Sequence, residues 1–284
     1  MKLVAIDLDG TLLSSNLSIS EENLTAIREA QNEGNIIMIC SGRAPESIRE
    51  LLDEYDFACP FAASNGTVVV IEGEKPKYIS MNKQNMLEVA EILESYGVPY
   101  KLYTNDGIWM PEDWSAKVRS ALQSNPELAK CLLESEYKQF IEQPKRTDNN
   151  RYFRHIQDVI NRGDLSVQKF FILQFNQHTR KEIMEQLENI AGIAVTTSGD
   201  YNIEIMDEKG NKGYGLKAVA KHYNIPLEQT IAIGDNFNDV PMLEAAGLSV
   251  AMGNAEPEVK EMCDIVTRTN DEHGVAHAIR QFVL

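Results

Sequence analysis

The chain has no stretch approaching the eighteen or more apolar residues that a membrane span needs. Its first ten residues run straight into a strand pattern, without the basic segment and separate apolar segment of a secretory leader, so no leader is expected. The four cysteines, Cys40, Cys59, Cys131 and Cys263, have neither metal-ligand nor disulfide-framework spacing, which favours reduced, mostly buried thiols in a cytoplasmic protein. Basic residues are scarce: 27 Lys and Arg face 43 Asp and Glu, giving a formal charge of -16. That balance argues against partners such as nucleic acid or an anionic membrane. A small phosphorylated substrate stays open, because a bound divalent cation reverses the local potential. Internal repeats and low-complexity tracts are missing too.

What is present is an ordinary soluble composition, 43% hydrophobic, in 284 residues, a length at which one core tends to split into two. The first strand is expected over Leu3 to Leu8. "SEENLTAIREAQNEG" then reads as a helix with Ser20 as N-cap and Gly34 as stop. "NIIMIC" is an apolar strand, "APESIRELLDEY" a helix that takes Pro45 in its first turn, and "FACPFAASNG" a strand before an Asn-Gly turn. "VVVI" and "KPKYIS" follow as a hairpin. Alternating strands and helices predict a parallel sheet with helices on both faces.

Near Lys83 the texture changes. A helix, two short strands around Asn105-Asp106-Gly107, a polar stretch from 112 to 162 that is mainly helical with interruptions, and the strands "VQKFFILQF", "IAVTTSG" and "YNIEIMD" predict an inserted α+β unit. After "EKGNKG" the first texture returns, so residues 1–82 and 209–284 are expected to form one discontinuous α/β domain around an insertion at 83–208.

Parallel sheets bind ligands at the carboxyl ends of their strands. Four polar groups are expected there: Asp7 with Asp9, Ser41 with Gly42 and Arg43, Asn65 with Gly66, and Asp235 with Asn238 and Asp239. Singly, an Asp after a strand is most often a turn former or cap. Their convergence on one rim is the informative feature. Asp7, Asp9 and Asp235 make an all-oxygen donor set with no His or Cys beside it, which suits Mg²⁺ better than Zn²⁺. An ionised Asp can attack phosphorus, a second can exchange the proton of the leaving group, and Ser41, the Gly42 amide, Lys212 and Asn238 can hold a phosphoryl group.

At these residues the chain closely resembles the haloacid dehalogenase-like hydrolases, and among them the Cof-type phosphatases with a large α+β cap. The DxDGT motif matches Asp7-Leu8-Asp9-Gly10-Thr11, the second motif Ser41 in "CSGR", the third-motif lysine Lys212, and GDxxND the run from Gly234 to Asp239. The resemblance implies a Rossmannoid α/β core with a central parallel sheet, plus an inserted cap that selects substrate. It implies Asp7 as nucleophile and Asp9 as general acid/base. Mg²⁺ would be held by Asp7, the Asp9 backbone carbonyl and Asp235, with Asp239 in support. Phosphate would be bound by the Leu8 amide, Ser41, Gly42, Lys212 and Asn238, and Thr11, Arg43 and Asn65 would brace the site.

The activity so implied is hydrolysis of small phosphate monoesters, sugar phosphates or phosphorylated cofactors, by a monomer or weak homodimer. A phosphotransferase or phosphomutase would use the same intermediate, and a phosphometabolite-binding regulator would use the same pocket with little turnover. In the insertion, Tyr201 and Glu204 are candidate substrate contacts. Trp109 and Trp114 read as packing residues, and His155 and His178 as ordinary surface or partly buried histidines. The basic run "PKRTDNNRYFRH" reads first as solvated surface and second as a contact for a substrate anion.

Overall fold

The computed structural model describes residues 1–131 and 150–284, without the side chains of residues 130 and 131. The chain divides into two compact units, Met1–Tyr78 with Gly210–Leu284, and Ile79–Lys209. The first stretch supplies β1 (Leu3–Ile6), β2 (Ile36–Cys40), β3 (Phe61–Ala63), β4 (Val68–Val70) and β5 (Lys77–Tyr78). The second unit holds β6 (Tyr100–Thr104), β7 (Gly107–Pro111), β8 (Asn150–Phe153), β9 (Val167–Leu173), β10 (Ile193–Thr196) and β11 (Asn202–Asp207). The chain then returns to the first unit with β12 (Thr230–Gly234), β13 (Leu248–Ala251) and β14 (Ile265–Val266).

The first unit is a sheet of order β14-β13-β12-β1-β2-β3-β4-β5, parallel from β14 to β3 and antiparallel at β4 and β5. Its flanking helices have recognisable local causes. Helix Glu21–Asn32 starts where the Ser20 hydroxyl accepts the Asn23 amide, and it buries Leu24, Ala26, Ile27 and Ala30. Helix Pro45–Glu54 carries its proline in the first turn, where no N–H is needed. Strands β1 and β2, and β12 after Thr230, are apolar throughout because both of their faces lie in the core. The strand order reverses at β1: the chain moves one way to β2 and β3, and the other way through β12 to β13 and β14. A crevice between β1 and β12 follows from that reversal.

Among the described residues, the second unit is a six-stranded sheet of order β10-β11-β9-β6-β7-β8. One face packs Tyr100, Leu102, Phe170, Ile172, Ile203 and Ile205 against helices Lys83–Tyr96 and Gln177–Leu187. One expectation needs correction here. Within the stretch read as mainly helical, Asn150–Phe153 is a strand and pairs in parallel with β7. Only Phe153 of its four residues is buried, so this edge strand carries no alternating apolar signal.

Candidate active site

The site grows from the carboxyl ends of β1 and β12. The Asp7 amide donates to the Ile233 carbonyl at 3.0 Å, tying the end of β1 to its neighbour. The chain then folds back, with Leu12 N–H on the Asp7 carbonyl at 3.1 Å and Leu13 N–H on the Leu8 carbonyl at 2.9 Å. Leu8 itself is buried, and no described residue accepts its N–H. Gly10 has φ +84°, and a Cβ there would stand 2.4 Å from Asp235 Oδ2. Only glycine lets the two acidic loops meet this closely. Asp9 points elsewhere: its carboxylate takes Arg43 Nη2 at 2.6 Å and Nε at 2.9 Å in a two-pronged pair.

Asp235 follows β12 and accepts the Thr11 hydroxyl at 2.6 Å. Asp239, four residues on, accepts the Asp235 amide at 2.8 Å and the Asn236 amide at 3.0 Å with one oxygen. Its other oxygen takes Lys212 Nζ at 2.5 Å. A Cβ on Gly234 would lie 2.6 Å from Asp239 Cγ, so this turn also depends on glycine. Lys212 opens helix Lys212–His222, whose N-cap Asn211 accepts the Tyr214 amide at 2.9 Å. Its fully buried ammonium bridges Asp239 and Asp7, with Asp7 Oδ1 at 2.6 Å. A lone lysine in a Gly-rich loop reads as solvated surface, and this one is the reverse.

From β2, Ser41 is fully buried, and its hydroxyl accepts the Arg43 amide at 3.2 Å. The Ser41 carbonyl accepts the Asn65 amide at 2.9 Å, and Asn238 Nδ2 donates to Asn65 Oδ1 at 3.2 Å. The expected bracing residue Asn65 therefore links the loops after β2, β3 and β12. Ser64 and Asn65 both hold left-handed backbone, at φ +49° and +59°. Ser64 went unnoticed in the sequence, where only Asn65-Gly66 signals a turn. Its Oγ is buried and without a partner among the described residues.

The electrostatics converge on one shortage. Three carboxylates, Asp7, Asp235 and Asp239, offer oxygens within 4.8 Å of one another, and among the described residues one ammonium, that of Lys212, pairs with Asp7 and Asp239. Burial first, then Asp239, pushes the Asp7 carboxyl well up, against the opposing pull of Lys212. Burial and Asp239 likewise push Asp235 up to about 6, while the Thr11 hydroxyl and Lys212 resist. Burial alone would discharge Lys212, but Asp239 and Asp7 outweigh it and hold the ammonium well above its usual range. Were all three carboxylates ionised, one ammonium would leave two charges unbalanced, and the raised Asp7 and Asp235 carboxyls reflect that strain. An all-oxygen cluster with that deficit fits a hard divalent cation.

The candidate residues of the second unit are placed otherwise. Glu204 is buried on its own sheet against Lys169, with Oε1 2.9 Å from Nζ. Tyr201 packs near Phe175, with ring centroids 5.6 Å apart. Trp109 and Trp114 are core residues, and His155 and His178 are exposed, as expected. Of the basic run 144–155, residues 144–149 lie outside the described residues, while Arg154 pairs with Glu112 at 2.9 Å.

An acidic triad with one buried lysine, at the switch point of a Rossmannoid sheet that carries an inserted α+β domain, defines a hydrolase of the acyl-phosphate-forming kind by fold and site. Residues 4–279 match the haloacid dehalogenase-like hydrolase family, and the chain belongs to it. It is 35% identical over 292 residues to phosphatase YwpJ of Bacillus subtilis, covering all of both chains. It is also 35% identical to 5-amino-6-(5-phospho-D-ribitylamino)uracil phosphatase YwtE of the same organism, over 100% of this chain and 98% of that one. Among solved structures, a haloacid dehalogenase-like hydrolase from B. subtilis superposes with a TM-score of 0.85 at 32% identity, covering 99% of this chain and 100% of that chain. Among the described residues, no helix is long and apolar enough to cross a membrane.

Proposed function

We propose that the protein is a Mg²⁺-dependent phosphatase of small phosphate monoesters that works through an aspartyl-phosphate on Asp7. The observation that carries this reading is the buried Asp7–Lys212–Asp239 bridge beside Asp235, a site short of two positive charges. Asp7, Asp235 and the Asp9 carbonyl would hold Mg²⁺. Asp239 is occupied by Lys212 and by two loop amides, and this supports a role in bracing the site. When bound, the cation supplies charge neutralisation for Asp7 and for the phosphoryl oxygens.

In the first half-reaction an Asp7 carboxylate oxygen forms a bond to phosphorus as the ester P–O bond breaks. Asp9 gives its proton to the departing oxygen, which leaves as an alcohol. Lys212, Ser41, the Leu8 and Gly42 amides and Asn238 hold the phosphoryl oxygens. In the second half-reaction Asp9 takes a proton from water as the water oxygen attacks phosphorus. Inorganic phosphate departs and Asp7 is restored. The Asp9–Arg43 pair gives Arg43 a definite part: while it grips both Asp9 oxygens, Asp9 is an acceptor, so proton donation requires that grip to open.

The test is release of inorganic phosphate from a panel of phosphate esters with Mg²⁺, run on the wild-type protein and D7N. Turnover should fall on the order of 10⁴-fold or more in D7N, with the thermal midpoint retained. The panel should include the ribitylaminouracil phosphate that gives the B. subtilis relative its name. Failure of every ester to release phosphate above the D7N background would sink the reading, and transfer to an added sugar hydroxyl in place of release would redirect it to phosphotransfer.

A further inference from the structure

The closing helix, Gly274–Phe282, has two unlike faces. Val275, Ala278 and Ile279 are buried in the core of the first unit. His277, Arg280 and Gln281, with His273 at the helix start, recur at the spacing that keeps side chains on one face. That face, with Arg268 from the loop after β14 and Glu22 from helix Glu21–Asn32, lines a cavity of about 530 Å³. The cavity lies wholly in the first unit, and the catalytic reading uses none of its residues.

Its charge runs against that of the chain. Acidic residues outnumber basic ones 43 to 27 overall, yet here two arginines and two histidines meet one carboxylate. Arg268 makes no hydrogen bond or ion pair among the described residues, and Arg280 Nε reaches Glu29 only at 4.0 Å. On a surface this rich in carboxylates, cations left without close partners are the ones an outside anion can take. The histidines are tethered. The Thr267 hydroxyl gives its one proton to the Gly274 carbonyl at 2.9 Å, so it accepts from His277 Nδ1 at 3.1 Å. That leaves Nε2 of His277 for a ligand, since no described residue bonds it. His273 Nδ1 lies 2.9 Å from Ser20 Oγ and 3.6 Å from Glu22 Oε2. Its backbone is left-handed, with φ +57°, a conformation that works against any residue with a Cβ.

We propose that this cavity binds a small organic phosphate at a place separate from the strand-end rim. Guanidinium forks match phosphate oxygens two at a time. His277 Nε2 can accept from the P–OH of a singly ionised phosphate or, once protonated, donate to a dianion. The volume is that of a small-molecule pocket and exceeds what a lone ion needs. The Glu22 carboxylate and the Gln281 amide are then placed to bond hydroxyls of the organic part. The site stands on its own geometry, and its ligand need not be an ester hydrolysed at the rim.

The test follows the imidazole NMR resonances of full-length D7N in metal-free buffer at constant pH, so that no ester is consumed, during titration with glucose 6-phosphate, AMP and inorganic phosphate. His273 and His277 should shift saturably with at least one of the two organic phosphates, while His155, His178 and His222 stay in place. R268Q/R280Q should weaken that binding by roughly tenfold or more, and R268K/R280K, which keeps the charge without the fork, should lose less. Both arginines are exposed, so the thermal midpoint should hold in each double variant. This result supports the site whether or not any ester turns over. Absence of a shift at His273 and His277 overturns the proposal, and so does binding that survives unchanged in R268Q/R280Q. Inorganic phosphate binding as tightly as both organic phosphates would mean an adventitious ion only, which overturns it too.

Discussion

Each unit buries a lysine against carboxylate, but in different ways. In the first unit Lys212 lies at a strand-end rim, where one ammonium is shared by Asp7 and Asp239 while Asp235 lies close by. In the second, Lys169 lies on a sheet face against Glu204, and a further lysine, Lys101, stands beside them. The first arrangement is short of positive charge and the second is rich in it. A buried ion pair is weak evidence for stability in itself, because desolvation consumes most of its attraction. The imbalance is therefore the informative quantity: the carboxylate excess at the rim calls for a cation.

The sharpest way to break this comparison is to remove each lysine. K212M and K169M both leave buried carboxylate without its partner, and each should lower stability by roughly 3–5 kcal/mol, measured by denaturant unfolding. The second changes should separate them. K169M/E204L replaces a one-to-one pair with apolar groups and should recover most of the loss. K212M/D239N still leaves Asp7 beside Asp235 and should recover less than half. Equal recovery in both doubles would mean that the two lysines differ in nothing but position.

A smaller effect concerns proton linkage. Asp235 is pushed up to about 6 in the folded chain, above the value near 4 that an unfolded Asp has. Below pH 4 both states hold the proton and the group is neutral to stability. As pH rises from about 4 to 6 the folded state holds more protons than the unfolded state, so stability falls, by about 3 kcal/mol in all. The metal-free protein should therefore lose stability across that window, and Mg²⁺ should raise the thermal midpoint far more above pH 6 than near pH 4. D235N should flatten the pH dependence. A Mg²⁺ effect independent of pH would place the cation away from this cluster.

The same contrast explains what could be read from sequence. The rim residues Asp7, Ser41, Asn65 and Asp235 each follow an apolar strand, so element order alone brings them near one another. The burial of Lys212 is tertiary, set by Gly213 allowing the helix start to approach Pro241, whose carbonyl would lie 2.2 Å from a Cβ there. On the second sheet no such punctuation exists. Lys101, Lys169 and Glu204 are polar residues within strands, and only the register across β6, β9 and β11 reveals that they share a face. Strand β8 was hidden for a related reason, since its partner in β7 lies some forty residues away and its own residues are mostly half exposed. Ser64 shows the limit at a single residue: nothing in a serine announces left-handed backbone, which here follows from the bonds that hold Ser64 and Asn65 to the loop after β2.

The smallest expected effect compares two helix caps. Asn82 and Asn211 each accept the amide three residues on, at 2.9 Å, at the start of a helix in the second and first unit respectively. N82A and N211A should each cost about 1 kcal/mol, because each leaves one orphan N–H to water. Their functional consequences should differ. Asn211 directly precedes Lys212, and its carbonyl lies where a Cβ on Gly66 would be only 2.0 Å away, so loosening this cap frees the segment that aims the ammonium. Turnover in N211A should fall on the order of tenfold or more, since small misplacements at a reacting centre are expensive. In N82A it should hold, and N211S, which keeps a capping oxygen, should recover most of the loss. If N211A and N82A lost stability and activity in the same proportion, the lysine's position would be set by its two carboxylates alone, and the helix start would contribute nothing to aiming it.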